Sequence, residues 1–455
     1  MRVKGEITAF LSLIFILLIS FIGAISESAA LQVSKNEARA DMDRAIYSVF
    51  GEYRSELLDE YELFAIEGTY ETGEFSEEAL IQRLDYYGAG NMGQEITGIQ
   101  FLTDNQGQEF IEQAVRYMRD YSGIELASDL VGSSQKWTEQ EISGSESEEA
   151  MEKTEEELDT TLAENEVQLP DEENPIRAVT TAKSSPLLTM IMPKEKSIST
   201  KAVSLSDMPS HRAINHGRGT FQAADDVDGA VSNLLFREYL MQKFSHAAEE
   251  NIDGALSYEL EYLIAGKESD SENLEEVAKK LLLMRMGANF LYLQTDTEKV
   301  AEAEAMAAGM ATVVALPVLT EPLKQAILAA WAYGESIMDL RSLLQGKKVP
   351  LVKTKESWQM GLTSLVKLGT EEDTLEGKDT EGGLKYQDYL RILLFLENQN
   401  QSSMRALDLI EHNMRQSKGL TYFRVDYCVT KLKTKSQVSL QRGITYEFPT
   451  YFGYR

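Results

Sequence analysis

ITAFLSLIFILLISFIGAI occupies Ile7 to Ile25, nineteen residues without a charge. At about 1.5 Å per residue a helix of this length spans about 28 Å, close to the hydrocarbon thickness of a bilayer. A charge at its centre would oppose insertion by about 2.5 to 3.5 kcal/mol, and none is present. Arg2 and Lys4 precede the stretch, which predicts a cytoplasmic N-terminus and an extracytoplasmic remainder. Lys35, Arg39 and Arg44 beyond the far end weigh against this, but short basic leaders usually prevail. Ala24-Ile25-Ser26 and Ser28-Ala29-Ala30 offer small residues to a signal peptidase. Signal cores run about 7 to 15 residues, so a retained single-pass anchor in the cell membrane is the expectation.

Beyond the anchor, Ala38, Met42, Ile46, Val49, Tyr53 and Leu57 recur every three or four residues and place an apolar stripe on one helical face. A stalk helix leaving the membrane is predicted to about residue 60, with Gly51 its weak point. Its stripe would pack on the protein's own globular part or on a partner helix.

Composition narrows the function. Lys plus Arg total 44 against 74 Asp plus Glu, a net charge of -30 that repels phosphate backbones and excludes nucleic acid as a partner. Cys428 is the only cysteine, so intramolecular disulfides and paired-cysteine zinc sites are excluded. Hydrophobic residues make up 43% of the chain, enough for a folded core.

Four regions are expected: residues 1–66 as anchor and stalk, 67–132 as a small α+β unit, 133–175 as an acidic linker, and 176–455 as the main ectodomain. Gly88-Ala89-Gly90-Asn91-Met92-Gly93 has the spacing of a dinucleotide fingerprint, but a helix pattern precedes it and a strand pattern follows, the reverse of what pyrophosphate binding needs. A glycine turn is the better reading. Residues 139–173 hold fifteen acids and one base, Lys153, a composition that reads as disordered. Short alternating runs in 176–222 read as strands or ordered loops. Asp225, Asp226 and Asp228 echo a calcium loop, yet Ala224 and Leu235 stand where its first and last carboxylates belong.

Four helices are predicted from Ile252 to Gly346, the second opened by a capping box at Ser269–Glu272, with Pro317 separating the last two. Two more follow the acidic break at 369–383, near 384–397 and 403–415. TYFRVDYCVTKL and SQVSLQRGITYEF then read as strands able to pair with 176–222. The fold class expected is α+β, mostly helical, with a small sheet.

Charged residues interrupt several apolar helices: Glu259, Glu261, Arg285, Glu335, Asp339 and Arg341. Glu335 and Asp339 are one turn apart and could share a face. As a site they would serve an envelope hydrolase or a metal-dependent enzyme. The four histidines complete neither a Glu-x-x-His nor a His-Glu-x-x-His pattern, so a buried ion-pair network is favoured. No catalytic motif and no cofactor is implied.

Lys4-Gly5-Glu6, the run Ile7 to Leu13, and Tyr61-Glu62-Leu63-Phe64 resemble an uncharacterised bacterial family found beside tight-adherence pilus genes. Tyr258 to Lys267, Leu282 to Leu293, Trp331 to Ser336 and Leu344 to Leu351 look like its recurring blocks. The N-terminus is also similar to that of pseudopilins, in which a peptidase cuts after Gly and Glu stands at the fifth mature position. This likeness makes Gly5 and Glu6 candidate processing residues, although the fifth place here is Phe10. The resemblance implies a structural or assembly role at the cell surface, accessory to a pilus. The expected partners are the lipid bilayer and pilus or other envelope proteins met through the stalk.

Overall fold

The computed structural model describes residues 3–165, 167–170, 174–193, 196–221, 229–249, 254–370 and 372–454. It is an α+β protein dominated by helices, with one four-stranded antiparallel sheet. Two compact units emerge. The first comprises Met1–Gln113, Ala213–Ala224 and Lys418–Arg455, and the second Ala114–Arg212 and Asp225–Ser417.

The first unit opens with α1 (Val3–Phe50), followed by α2 (Ser55–Tyr61), β1 (Ile66–Glu67), α3 (Glu77–Leu84) and β2 (Gly93–Phe101). β3 (Cys428–Ser439) and β4 (Thr445–Gly453) complete it. β3 is the central strand: it pairs antiparallel with β2 from Gly93↔Gln437 to Phe101↔Val429, and with β4 from Lys431↔Gly453 to Ser439↔Thr445. β1 adds a short pairing, Ile66↔Val429. The predicted stripe meets this sheet: Ala38, Met42, Ala45, Ile46, Val49 and Phe50 join Ile96, Ile99, Val429, Leu432 and Phe448 in one core. The helix ends sooner than the stripe predicts. Gly51 caps it through bonds to Tyr47 and Ser48, and Leu57 reaches the interior from α2. The glycine run is a turn, as its context requires: Gly88 sits at φ +114, between α3 and β2, where a Cβ would be strained.

The second unit contains most of α4 (Asp104–Glu164), then α5 (Pro175–Lys183), α6 (Leu187–Ile191), α7 (Ala230–Lys243), α8 (Glu259–Ala265), α9 (Asp270–Thr295), α10 (Thr297–Val313) and α11 (Thr320–Leu344). α12 (Leu362–Leu365), α13 (Tyr386–Leu396) and α14 (Gln399–Ser417) follow. α8 to α11 are the four predicted helices. Ser269 and Glu272 form the capping box that starts α9, and Pro317 opens a short 3-10 turn before α11. α11 is the hub, buried along nearly its whole length from Leu323 to Leu344.

Three expectations need correction. The acidic stretch expected to be disordered is helical through Glu164 as part of α4. No proline interrupts it before Pro170, and Met151 and Leu158, seven residues apart, are both buried. Two turns of helix bring them to one face and leave the described carboxylates on others. Among the described residues of 176–222 the chain forms α5, α6, a short 3-10 turn and ordered loops with isolated bridges, Ala202↔Ser269 and Ile99↔Arg218, so the loop alternative holds and the strands do not form. The C-terminal strands therefore pair with β1, β2 and each other, so the boundaries at 67–132 and 176–455 do not hold as units. The calcium-loop echo at Asp225, Asp226 and Asp228 lies outside the described residues.

Candidate functional site

Two features of this fold bear on function, the long apolar helix α1 and the charges buried in the helical unit. α1 has a window of mean hydropathy 2.6 that is wholly unburied. Phe10, Phe15, Ile16, Leu17, Phe21 and Ile22 are each 60% or more exposed. Among the described residues one helix, α1, is long and apolar enough to cross a membrane. Gly5 and Glu6 lie inside its first turns.

The buried charges are built on two i, i+4 pairs, which place both side chains of each pair on one helical face. α11 presents Glu335 and Asp339; α9 presents Arg285 and Asn289. All four are fully buried. Arg285 Nε donates to Asp339 Oδ2 at 2.9 Å, and Asn289 Nδ2 donates to the same oxygen at 3.0 Å. Arg285 Nη1 donates to the Leu351 carbonyl at 2.8 Å and to the Tyr389 hydroxyl at 3.1 Å. Asn289 also donates to Ser336 Oγ at 2.9 Å.

The remaining cation is Lys353, which the sequence reading did not identify. Its Nζ lies 2.5 Å from Glu335 Oε1 and 2.6 Å from Asp339 Oδ1. Glu335 Oε2 accepts from the backbone N–H groups of Gln359 at 3.0 Å and Met360 at 2.7 Å. Burial pushes the Glu335 carboxyl up, and the Lys353 ammonium opposes that shift. Two cations thus face two anions, in an arrangement that ties α9, α11 and the segment 349–360 together. The one sequence hint was that Lys353 ends the apolar run Val349 to Val352.

The other three predicted members stand elsewhere. Arg341 pairs with Asp373 at 2.6 Å and donates from Nε to the Met190 carbonyl at 2.6 Å. Glu259 accepts from the Ser245 N–H and hydroxyl, each at 3.0 Å, and from Asn413 at 2.6 Å. Glu261 Oε1 accepts from the Ala247 N–H at 2.9 Å and from the Tyr386 hydroxyl at 2.8 Å. Among the described residues neither of these glutamates is paired with a cation, and burial raises both carboxyls, Glu261 to about 7. Asp270 and Asp408 act alike. Asp270 holds the Ser257 and Tyr258 N–H groups, and Asp408 the Ser210 N–H and the Tyr262 hydroxyl. Each carboxylate satisfies backbone donors that a buried loop would otherwise leave unpaired.

This chemistry is architectural. The oxygens of Glu335 and Asp339 face an ammonium, a guanidinium, an amide and two backbone donors, which a metal ion would have to displace. Among the described residues no group of three or more His, Cys, Asp or Glu side chains is arranged to hold a metal. A groove of about 620 Å³ in the same unit is lined by Leu187, Met190, Leu282, Leu283 and Tyr333 with Lys183 and Lys279, and none of the network residues reaches it.

Residues 165–440, more than half of the chain, match a known family pattern. The chain belongs to DUF5702, a family of unknown function. The match takes in α5 to α14 and β3, hence the whole buried network, and leaves out α1, β1 and β2. No curated protein and no solved structure matches the chain.

Proposed function

We propose that this protein is a single-pass, membrane-anchored component of the bacterial cell envelope with a structural or assembly role, accessory to a tight-adherence-type pilus. The observation that carries the reading is α1. One unbroken helix begins with a lipid-compatible surface and ends, from Ala38 to Phe50, as part of the core of a folded sheet unit. A helix of 48 residues extends about 72 Å, which joins bilayer and folded unit rigidly. The basic start at Arg2 and Lys4 favours a cytoplasmic N-terminus, with both folded units outside. The pilus assignment is supported by the resemblance of the N-terminal residues and of the blocks Tyr258 to Lys267, Leu282 to Leu293, Trp331 to Ser336 and Leu344 to Leu351.

Alkaline phosphatase fused after Arg455 is expected to be active, as it is only outside the cytoplasm; activity confined to a cytoplasmic reporter would reverse the orientation. Deleting the gene is expected to strip pili from the cell surface, and normal piliation would end the pilus assignment. Mass spectrometry of the native N-terminus decides processing: a chain starting at Glu6 was cut after Gly5, and one starting at Met1 or Arg2 was not.

A further inference from the structure

In the sheet unit β4 lies along α1 in matched steps. Phe452 meets Tyr47 at 4.8 Å and Phe50 at 4.4 Å between ring centroids. Tyr446 stands under Lys35 Nζ at 4.9 Å and the Arg39 guanidinium at 5.5 Å. Six strand residues advance about 20 Å, and the twelve helical residues they accompany advance about 18 Å. The hairpin therefore stays in step with the helix as both run back towards the anchor. At its turn Arg442 Nη1 reaches Glu27 Oε1 at 2.7 Å. Glu27 is two residues past Ile25, where the uncharged run ends, or about 3 Å along the axis. The turn thus lies where hydrocarbon gives way to the polar layer, which is about 5 to 8 Å deep on each side.

The composition of the turn fits that level. Leu440 N–H donates to the Ile444 carbonyl at 2.7 Å and closes it. Arg442 and Gly443 both adopt positive φ, +62 and +71, which carries the Arg442 side chain outward, 75% exposed even while it pairs with Glu27. Ile444 is 43% exposed beside it. At an interface, isoleucine lies against the outer acyl carbons while a guanidinium with donors to spare binds phosphate oxygens.

We propose that the β3–β4 turn, Gln441 to Ile444, is a second membrane contact, seated in the phospholipid headgroups of the same bilayer that holds α1. Arg442 bridges Glu27 and lipid phosphate, and Ile444 lies at the hydrocarbon edge. Helix and turn together form a two-point footing that fixes the height of the sheet unit above the membrane. The inference rests on α1 being a transmembrane anchor.

The test places an environment-sensitive fluorophore on single cysteines in the full chain, with buried Cys428 replaced by Ser, reconstituted in vesicles of equal parts phosphatidylglycerol and phosphatidylcholine. Ile444→Cys labels the turn, Leu17→Cys the anchor, and Tyr47→Cys a site about 33 Å beyond Ile25 along the helix. The label at 444 is expected to be quenched by headgroup spin-labelled lipid and to be several-fold less accessible to aqueous iodide than the label at 47. Adding Arg442→Glu is expected to abolish that protection. If 444 is as open to iodide as 47 while 17 is quenched by acyl-chain spin label, the footing is wrong and the anchor stands. If 17 is itself open to iodide, the anchor reading fails and the footing fails with it.

Discussion

Replacing Lys353 by Met takes the buried quartet from two cations and two anions to one cation and two anions. The ammonium lies 2.5 Å and 2.6 Å from carboxylates that are fully buried, and its own side chain is equally enclosed. At an effective dielectric constant of about 20, each contact is worth roughly 6 kcal/mol of attraction before desolvation is subtracted. Arg285, Asn289 and the Gln359 and Met360 N–H groups still serve the carboxylates after the change. The expected loss is therefore that of breaking a buried pair, about 3 to 5 kcal/mol. Adding Glu335→Gln restores charge parity while keeping an acceptor for the two N–H groups, and is expected to recover about 1 to 3 kcal/mol. Urea unfolding of the full chain in detergent micelles measures both. Trp331 and Trp358 both donate to the Met360 carbonyl, at 2.7 Å and 2.6 Å, so their fluorescence reports this region once Trp137 is replaced by Phe. A loss below about 1 kcal/mol for Lys353→Met, or a double variant no more stable than the single one, would refute the reasoning.

Acid dependence should separate two groups that flank Tyr386. Burial raises Glu261 from 4.5 to about 7 and, with help from Lys196, lowers His246 from 6.5 to about 4. The Glu261 contribution is complete below pH 4.5 and lost as pH rises through 7, whereas that of His246 is complete above pH 6.5 and lost as pH falls through 4. Their slopes of about 1.4 kcal/mol per pH unit cancel in the overlap, so Glu261→Gln should make stability climb with pH there, and unfolding curves showing no change in slope would contradict this. For the proposed anchoring through α1, Leu17→Arg near the middle of its apolar run should oppose insertion by about 3 kcal/mol and move the chain from the membrane pellet to the soluble fraction on carbonate extraction. A Cβ on Gly334 would lie 2.3 Å from Leu365 Cδ1; Gly334→Ala should cost about 1 to 3 kcal/mol in thermal unfolding, and an unchanged midpoint would show that α11 and α12 can part freely.

Much of this protein was written locally. The long apolar start of α1 follows from nineteen positions without a charge, its buried continuation from a period of three to four, and the start of α9 from Ser269 and Glu272 three places apart. Each depends on hydrogen bonds and burial within a turn or two of chain, so neighbouring residues suffice to reveal it. In the acidic stretch high charge density suggests disorder, yet the absence of proline and the seven-residue spacing of buried Met151 and Leu158 let a helix persist.

Partner choice across long separations was decided only in three dimensions. Nothing near Cys428 to Ser439 indicates that this strand pairs with Gly93 to Phe101, more than three hundred residues earlier, because any exposed edge offers the same backbone donors and acceptors. Nor does Arg341, one turn from Ile337 on the largely buried α11, announce that it turns to Asp373 while Arg285 takes Asp339. Lys353 was the residue most hidden, on an irregular segment with no period to mark it, yet it completes the charge balance of the core. The chain itself determined which residues must leave water. Which charges would meet there was settled when the helices packed, since a buried ion is stable only beside the particular partner that the folded backbone brings to it.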